Sequence, residues 1–177
     1  VPKENLVGEE NKGWTYAKYL LEFERGNSYS PTLYRGIEKL KAIAKETSIG
    51  NGTNLIDDSD FLNKLNKCEI EIQALEFVEL RIFSALSAGQ RVGPESSILK
   101  TRGTELQQKL QELSVEAIGY WASPFVYDTF ANINEPSIGP DYAMTIAPAY
   151  FNGRKTTIYA GSNEIQRNII SKAVLGL

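Results

Sequence analysis

The chain has 177 residues, a net charge of −3, one cysteine and no histidine. That length suits one domain with a core of its own, and basic residues scattered beside acids give no nucleic-acid footprint. Without histidine, Ser-His-Asp and Cys-His catalysis and most zinc sites are excluded. A lone Cys68 excludes an internal disulfide, and its neighbours Asn66, Lys67 and Glu69 do not suggest a metal site.

In chain order, Val1 to Gly8 reads as an extended lead-in, and Asn11 to Gly13 as a turn before a helix. Ala17, Leu20, Leu21 and Glu24 then fall on one helical face. Ser30-Pro31 has the form of a cap with proline at the first helical position, so the helix kinks or restarts there. Leu33, Ile37, Leu40 and Ile43 carry it on, and Thr47 to Asn54 is a loop by its glycines and asparagines. A long helix is expected from about Asp58 to Ala88, with Phe61, Leu65, Cys68, Ile72, Leu75, Ile82 and Leu86 on one side and Gly89 ending it. Pro94 and Glu95 open another, with Leu99, Leu106, Leu110, Leu113, Ala117 and Trp121 on its face.

Ser123 to Ala149 reads as irregular, and is too long for an idle connector. Tyr159-Ala160-Gly161-Ser162 is an extended approach and a glycine turn. Ser162 is placed to cap a last helix with Glu164 in its first turn. Ile165, Ile169, Ile170 and Val174 form that helix's packing face. The pattern is an all-α, up-and-down four-helix bundle occupying residues 1–177. No apolar run is long enough to cross a membrane and no signal peptide is visible, so a cytoplasmic setting without membrane contact is expected. The start at Val1, without methionine, predicts a piece of a longer chain.

The string Gly161-Ser162-Asn163-Glu164-Ile165-Gln166-Arg167 resembles the C-terminal signature of the acyl-CoA dehydrogenase family. Val1-Pro2, Asn5-Leu6-Val7-Gly8 and Gly13-Trp14 resemble the family's entry into its C-terminal helical domain, and Phe23-Glu24-Arg25 resembles a stretch on that domain's first helix. The resemblance covers the whole chain but only the last third of a complete enzyme, whose N-terminal helical and middle β-domains lie outside it. It implies FAD as cofactor and an acyl-CoA thioester as substrate. The reaction would be α-proton abstraction with β-hydride transfer to flavin, giving a trans-2-enoyl-CoA, with electron-transfer flavoprotein as acceptor.

Where most members carry the catalytic glutamate, this chain has Ala160. A minority carries the base on the first bundle helix, and Glu24 stands at that position. Glu24 also continues the Ala17, Leu20, Leu21 stripe, as a buried base would; a rim glutamate paired with a neighbouring helix is the alternative. The resemblance gives Glu22, Phe23, Arg25, Tyr159 and Gly161 to the substrate. Arg25 can equally be satisfied by Glu22 or Glu24, and Tyr159 can be a packing tyrosine. It gives Gly161, Ser162, Asn163 and Glu164 to the flavin, at a helix N-terminus suited to polar or anionic groups.

Glu116 and Gly119 lie where typical members touch a neighbouring subunit's FAD, but Glu replaces Gln and Tyr120 replaces a second Gly. Ala44 to Gly50 also lacks the arginine that typically crosses to the partner's flavin. Both departures suggest the branch in which two different dehydrogenase-like chains assemble, so a homo- or hetero-oligomer is expected. Two other readings stand beside the enzyme. One is a non-catalytic subunit that completes a partner's site. The other is a helical oligomerisation module without flavin. The isolated 177 residues are expected to be inactive, because the isoalloxazine site needs the β-domain.

Overall fold

Leu33, Ile37, Leu40 and Ile43 recur every three or four residues, and this spacing builds α2 (Ser30–Glu46) with one buried edge. The computed structural model describes residues 1–24, 27–90, 93–124 and 138–177, and at 22–24 the backbone alone. Its other helices are α1 (Gly13–Glu24), α3 (Ser59–Ser87), α4 (Ser96–Ile118), α5 (Ile146–Gly153) and α6 (Asn163–Ile170). A π-helical turn, Ser171–Leu175, extends α6. The molecule is all-α apart from a small hairpin, β1 (Ser48–Gly50) with β2 (Thr53–Asn54).

Helices α2, α3 and α4 pack on one another, and α5 and α6 both pack on α4. Ile37, Leu40, Phe61, Leu65, Ile72, Leu99 and Leu106 are sealed from solvent at their common centre. Each such side chain contributes about 1.5–3 kcal/mol by leaving water. Gly36 lets α2 approach α4 closely, since a Cβ there would lie 2.3 Å from Leu110 Cδ2. Asp58 caps α3 by accepting a hydrogen bond from the Phe61 N–H at 2.8 Å. Cys68 is buried in this core, where desolvation pushes its thiol up to about 11, so it is a packing residue and not a nucleophile.

Four expectations change. The Thr47–Asn54 loop contains the antiparallel hairpin, because Asn51 and Gly52 both take positive φ (54° and 74°), the geometry of a tight two-residue turn. Within the stretch expected to be irregular, Asp141–Ala143 forms a 3₁₀ turn and α5 begins at Ile146; residues 125–137 lie outside the described residues. Pro148 is tolerated in α5 because it falls in the first turn, where N–H groups have no intrahelical partner. Trp121, expected on the α4 face, lies past the helix end and is exposed.

The fourth change concerns both ends of the chain. On α1, Trp14 and Leu20 are exposed and, among the described side chains, only Ala17 and Leu21 are half-buried, so that part of the expected stripe forms surface here. On α6, Ile165 and Val174 are exposed, while Asn163 and Gln166 are buried. The cause is what α6 packs against: the face of α4 beneath it is polar.

Candidate functional site

Lys100, Thr104, Gln108 and Gln111 recur at spacings of four, four and three along α4, and together they hold the segment from Gly153 to Asn163. Lys100 Nζ donates to the Thr156 carbonyl at 3.0 Å and to Asn163 Oδ1 at 2.9 Å. Thr104 Oγ1 lies 3.3 Å from the same Asn163 oxygen. Gln108 Nε2 reaches the carbonyls of Gly153 (3.2 Å) and Arg154 (3.1 Å). Arg154 donates to Gln111 Oε1 and Glu112 Oε1 and stacks over the Tyr150 ring. Hydrogen bonds of this density stand in for apolar packing in seating α6. Only the spacing of polar residues on α4 could have announced this stripe.

The segment so held presents a turn to a cavity of about 500 Å³. Tyr159, Ala160, Gly161, Ile165 and Gln166, from the turn and α6, line it together with Leu21 of α1, Asn27 and Tyr29 just before α2, and Lys100 of α4. Ala160 and Gly161 take φ of 54° and 82° in succession. Glycine is required at 161 twice over, since a Cβ would also sit 2.6 Å from Gln166 Nε2. Burial pushes the Lys100 ammonium below the ordinary lysine range, and the nearby charge of Glu164 pushes it back up.

The Tyr29 part of the lining is fixed by a residue that sequence reasoning missed. Glu79 of α3 is 2% exposed. Its Oε1 accepts from the Tyr29 and Ser30 N–H groups, at 2.6 and 3.0 Å, and its Oε2 accepts from the Ser28 and Ser30 hydroxyls. The start of α2 is therefore capped across the bundle, not by the Ser30 side chain, which lies inside the first turn. Tyr29, held this way, packs on Gly103, where a Cβ would lie 2.3 Å from the ring. The available signal was an acid inside the apolar stripe of α3, between Leu75 and Ile82.

The predicted residues divide into three groups. Tyr159 and Gly161 line the cavity, and Ser162 caps α6 by accepting from the Ile165 N–H at 3.4 Å. Asn163, the first residue of α6, is buried on Lys100, and Glu164 lies in the helix's first turn. The Glu164 carboxyl is held below the usual range by its own backbone N–H and by the Ser162 side chain. Glu116 and Gly119 lie at the far end of α4, away from the cavity lining; Glu116 pairs with Lys64 at 2.6 Å, and Gly119 follows the helix with φ 52°. Arg25, and the side chains of Glu22, Phe23 and Glu24, lie outside the described residues, although α1 runs to Glu24.

The turn suits the polar part of a flavin. The start of α6 carries the positive end of the helix dipole, although the Glu164 and Ser162 side chains already engage the Glu164 and Ile165 N–H groups. The buried Gln166 Oε1 has no hydrogen-bond partner among the described residues. Among those residues no cluster of potential ligands could hold a metal, and no helix is long and apolar enough to cross a membrane.

The family model described as "Acyl-CoA dehydrogenase, C-terminal domain" matches residues 11–175. Acyl-CoA dehydrogenase FadE26 of Mycobacterium tuberculosis is 29% identical over 181 residues, covering 100% of this chain and 43% of that protein. Acyl-CoA dehydrogenase IpdE1 of Mycolicibacterium smegmatis is 27% identical over 172 residues, covering 97% of this chain and 38% of its own length. A crystal structure of the ChsE4–ChsE5 complex from M. tuberculosis superposes with a TM-score of 0.76 at 28% identity, over 100% of this chain and 44% of that one. This chain thus spans about two-fifths of the length of these relatives. With its helical architecture and its closing turn both accounted for, the chain belongs to the acyl-CoA dehydrogenase family, as the C-terminal domain.

Proposed function

We propose that this chain is the C-terminal part of an FAD-dependent acyl-CoA dehydrogenase in which Glu24 is the base. The observation that carries the reading is the cavity itself. Leu21 and Asn27, on either side of Glu24 in sequence, line it together with Tyr159, Ala160 and Gly161. The usual position of the base is occupied by a methyl group, which leaves the rest of the lining to supply the carboxylate.

In this reading Glu24 removes the α-proton of an acyl-CoA thioester and Arg25 lies toward the CoA portion. Tyr159 and Leu21 shield the reacting carbons from water, which keeps the carboxylate basic. Bound FAD supplies the acceptor for the β-hydride, giving reduced flavin and the trans-2-enoyl-CoA. The positive end of α6 and the Gln166 side chain would hold polar atoms of that cofactor, while Tyr159 and Gly161 would face the acyl chain. Electron-transfer flavoprotein is the acceptor we expect, and the cytoplasm the setting.

The assembly we favour is a hetero-oligomer with a second dehydrogenase-like chain. Glu116 is engaged by Lys64, and no arginine stands between Ala44 and Gly50 to reach a partner's flavin. A relative of known structure, ChsE4–ChsE5, is a complex of two chains.

The test is Glu24→Gln in the full-length protein with its partner. The substrate would be the acyl-CoA that wild type oxidises fastest from a panel of straight-chain and steroid-side-chain thioesters. Turnover per flavin should fall at least about a hundredfold, the lower range for removing a general base, with flavin content unchanged. Unchanged turnover would leave the non-catalytic subunit as the better account.

A further inference from the structure

Lys100 is 4% exposed, and among the described residues it has no carboxylate within ion-pairing distance. A buried ammonium without a paired charge is costly to desolvate, and an apolar residue would fill the same space at less cost. Its hydrogen bonds indicate what that cost accomplishes. One goes to the Thr156 carbonyl, in the 3₁₀ turn Arg154–Thr157, and the other to Asn163, the first residue of α6. The two acceptors are the shoulders of the turn that faces the cavity.

Between those shoulders the backbone is thinly held. The Ile158 and Tyr159 N–H groups both donate to the Lys155 carbonyl, at 2.9 and 3.1 Å. Among the described residues the next backbone bond along the chain runs from the Gln166 N–H to the Ser162 carbonyl, at 3.0 Å. Ala160 and Gly161 lie in this gap, both with positive φ. A non-glycine residue in that region persists only where its surroundings over-determine it. The ammonium bridges the gap from beneath and itself lines the cavity.

We infer that Lys100 is a positioning residue: by tying Thr156 to Asn163 it sets the span of the Ile158–Ser162 turn and so the wall of the cavity. The clamp stands on these distances alone; its service to catalysis rests on the function proposed above. Asn163 is the second half of the device, because its Oδ1 accepts from Lys100 while its Nδ2 lies 3.5 Å from the Thr101 carbonyl.

The experiment compares wild type with Lys100→Met in the full-length flavoprotein complex, by hydrogen exchange of residues 158–162 and by turnover per bound flavin. Exchange in the turn should quicken at least about tenfold, while amides of α2 and α3 keep their wild-type rates. Turnover should fall about tenfold or more with flavin content retained. Asn163→Leu, which cuts one leg of the clamp, should quicken the same amides, and it serves if Lys100→Met does not fold. Asn163→Asp, which keeps an acceptor for the ammonium, should restore slow exchange. Unchanged exchange at 158–162 in either folded clamp-breaking variant would overturn the inference. Faster exchange with unchanged turnover would keep the clamp but overturn its role in the reaction, leaving the Glu24 reading to its own test.

Discussion

Two residues at the closing turn carry most of what distinguishes this chain. Ala160 presents only a methyl group at the turn, and its φ of 54° is one that alanine adopts at a cost. Gly161 follows at 82°, with Gln166 packed where a side chain would begin. Gly161→Ala should therefore destabilise the full-length protein by about 1–2 kcal/mol, the cost of a left-handed residue with a Cβ. A thermal or denaturant melt would register it, and a variant as stable as wild type would show that the turn is free to reshape. Glu79 makes the complementary point on the other wall. An acid in the middle of an apolar stripe was visible in the sequence, and the same argument that singled out Glu24 applied to it. It was passed over because its partners, Ser28, Tyr29 and Ser30, lie about fifty residues away.

At the scale of elements, periodicity was a good guide wherever a helix buries an apolar edge. Leu33 to Ile43, Phe61 to Ile82 and Leu99 to Ala117 were legible for that reason, and they form the core as expected. Periodicity failed where helices meet through polar atoms. Apolar spacing gave only part of the face of α6. Ile169 and Ile170 are half-buried, but Ile165 is exposed and Asn163 is buried, because α4 offers the start of α6 Lys100 and Thr104 in place of leucines. The hairpin at Ser48–Asn54 escaped for another reason: its strands are too short to show alternation, and only the Asn51-Gly52 pair marked it. The junction of α2 and α3 depends on one side chain. Glu79→Leu would leave the half-buried Tyr29 N–H and the buried Ser30 N–H and hydroxyl without their acceptor, at roughly 1–3 kcal/mol for each buried group left unpaired. The exposed Ser28 hydroxyl can turn to water. We expect a loss of several kcal/mol in a denaturant melt, with the Asn27–Ser30 amides exchanging faster. A change below about 0.5 kcal/mol, the range of an ordinary surface substitution, would mean that α2 does not depend on this cap.

For the molecule as a whole, apolar side chains stay exposed around the cavity. Trp14, Tyr19 and Leu20 on α1 and Ile158, Tyr159 and Ile165 near the closing turn are all exposed. Scattered apolar residues are ordinary on a surface, but these occur on both elements that border the cavity. The chain covers about two-fifths of its relatives, so their exposure fits a domain whose remaining walls come from elsewhere. The fold could be read from sequence because it depends on contacts within the chain. The site could be read only through its resemblance to a family, since under the proposed function Glu24 and Ala160 acquire meaning together although 135 residues of sequence separate them.

That pairing can be tested directly by adding Ala160→Glu to the Glu24→Gln variant of the full-length complex and measuring turnover per bound flavin. If the two positions flank the same reacting carbon, the second carboxylate should recover at least about tenfold of the lost rate, a part of the hundredfold or more that a positioned base supplies. Recovery would be incomplete, because glutamate must adopt the left-handed backbone at 160. A double variant no faster than Glu24→Gln, with flavin bound and the fold intact, would contradict the placement of the reaction between these two walls.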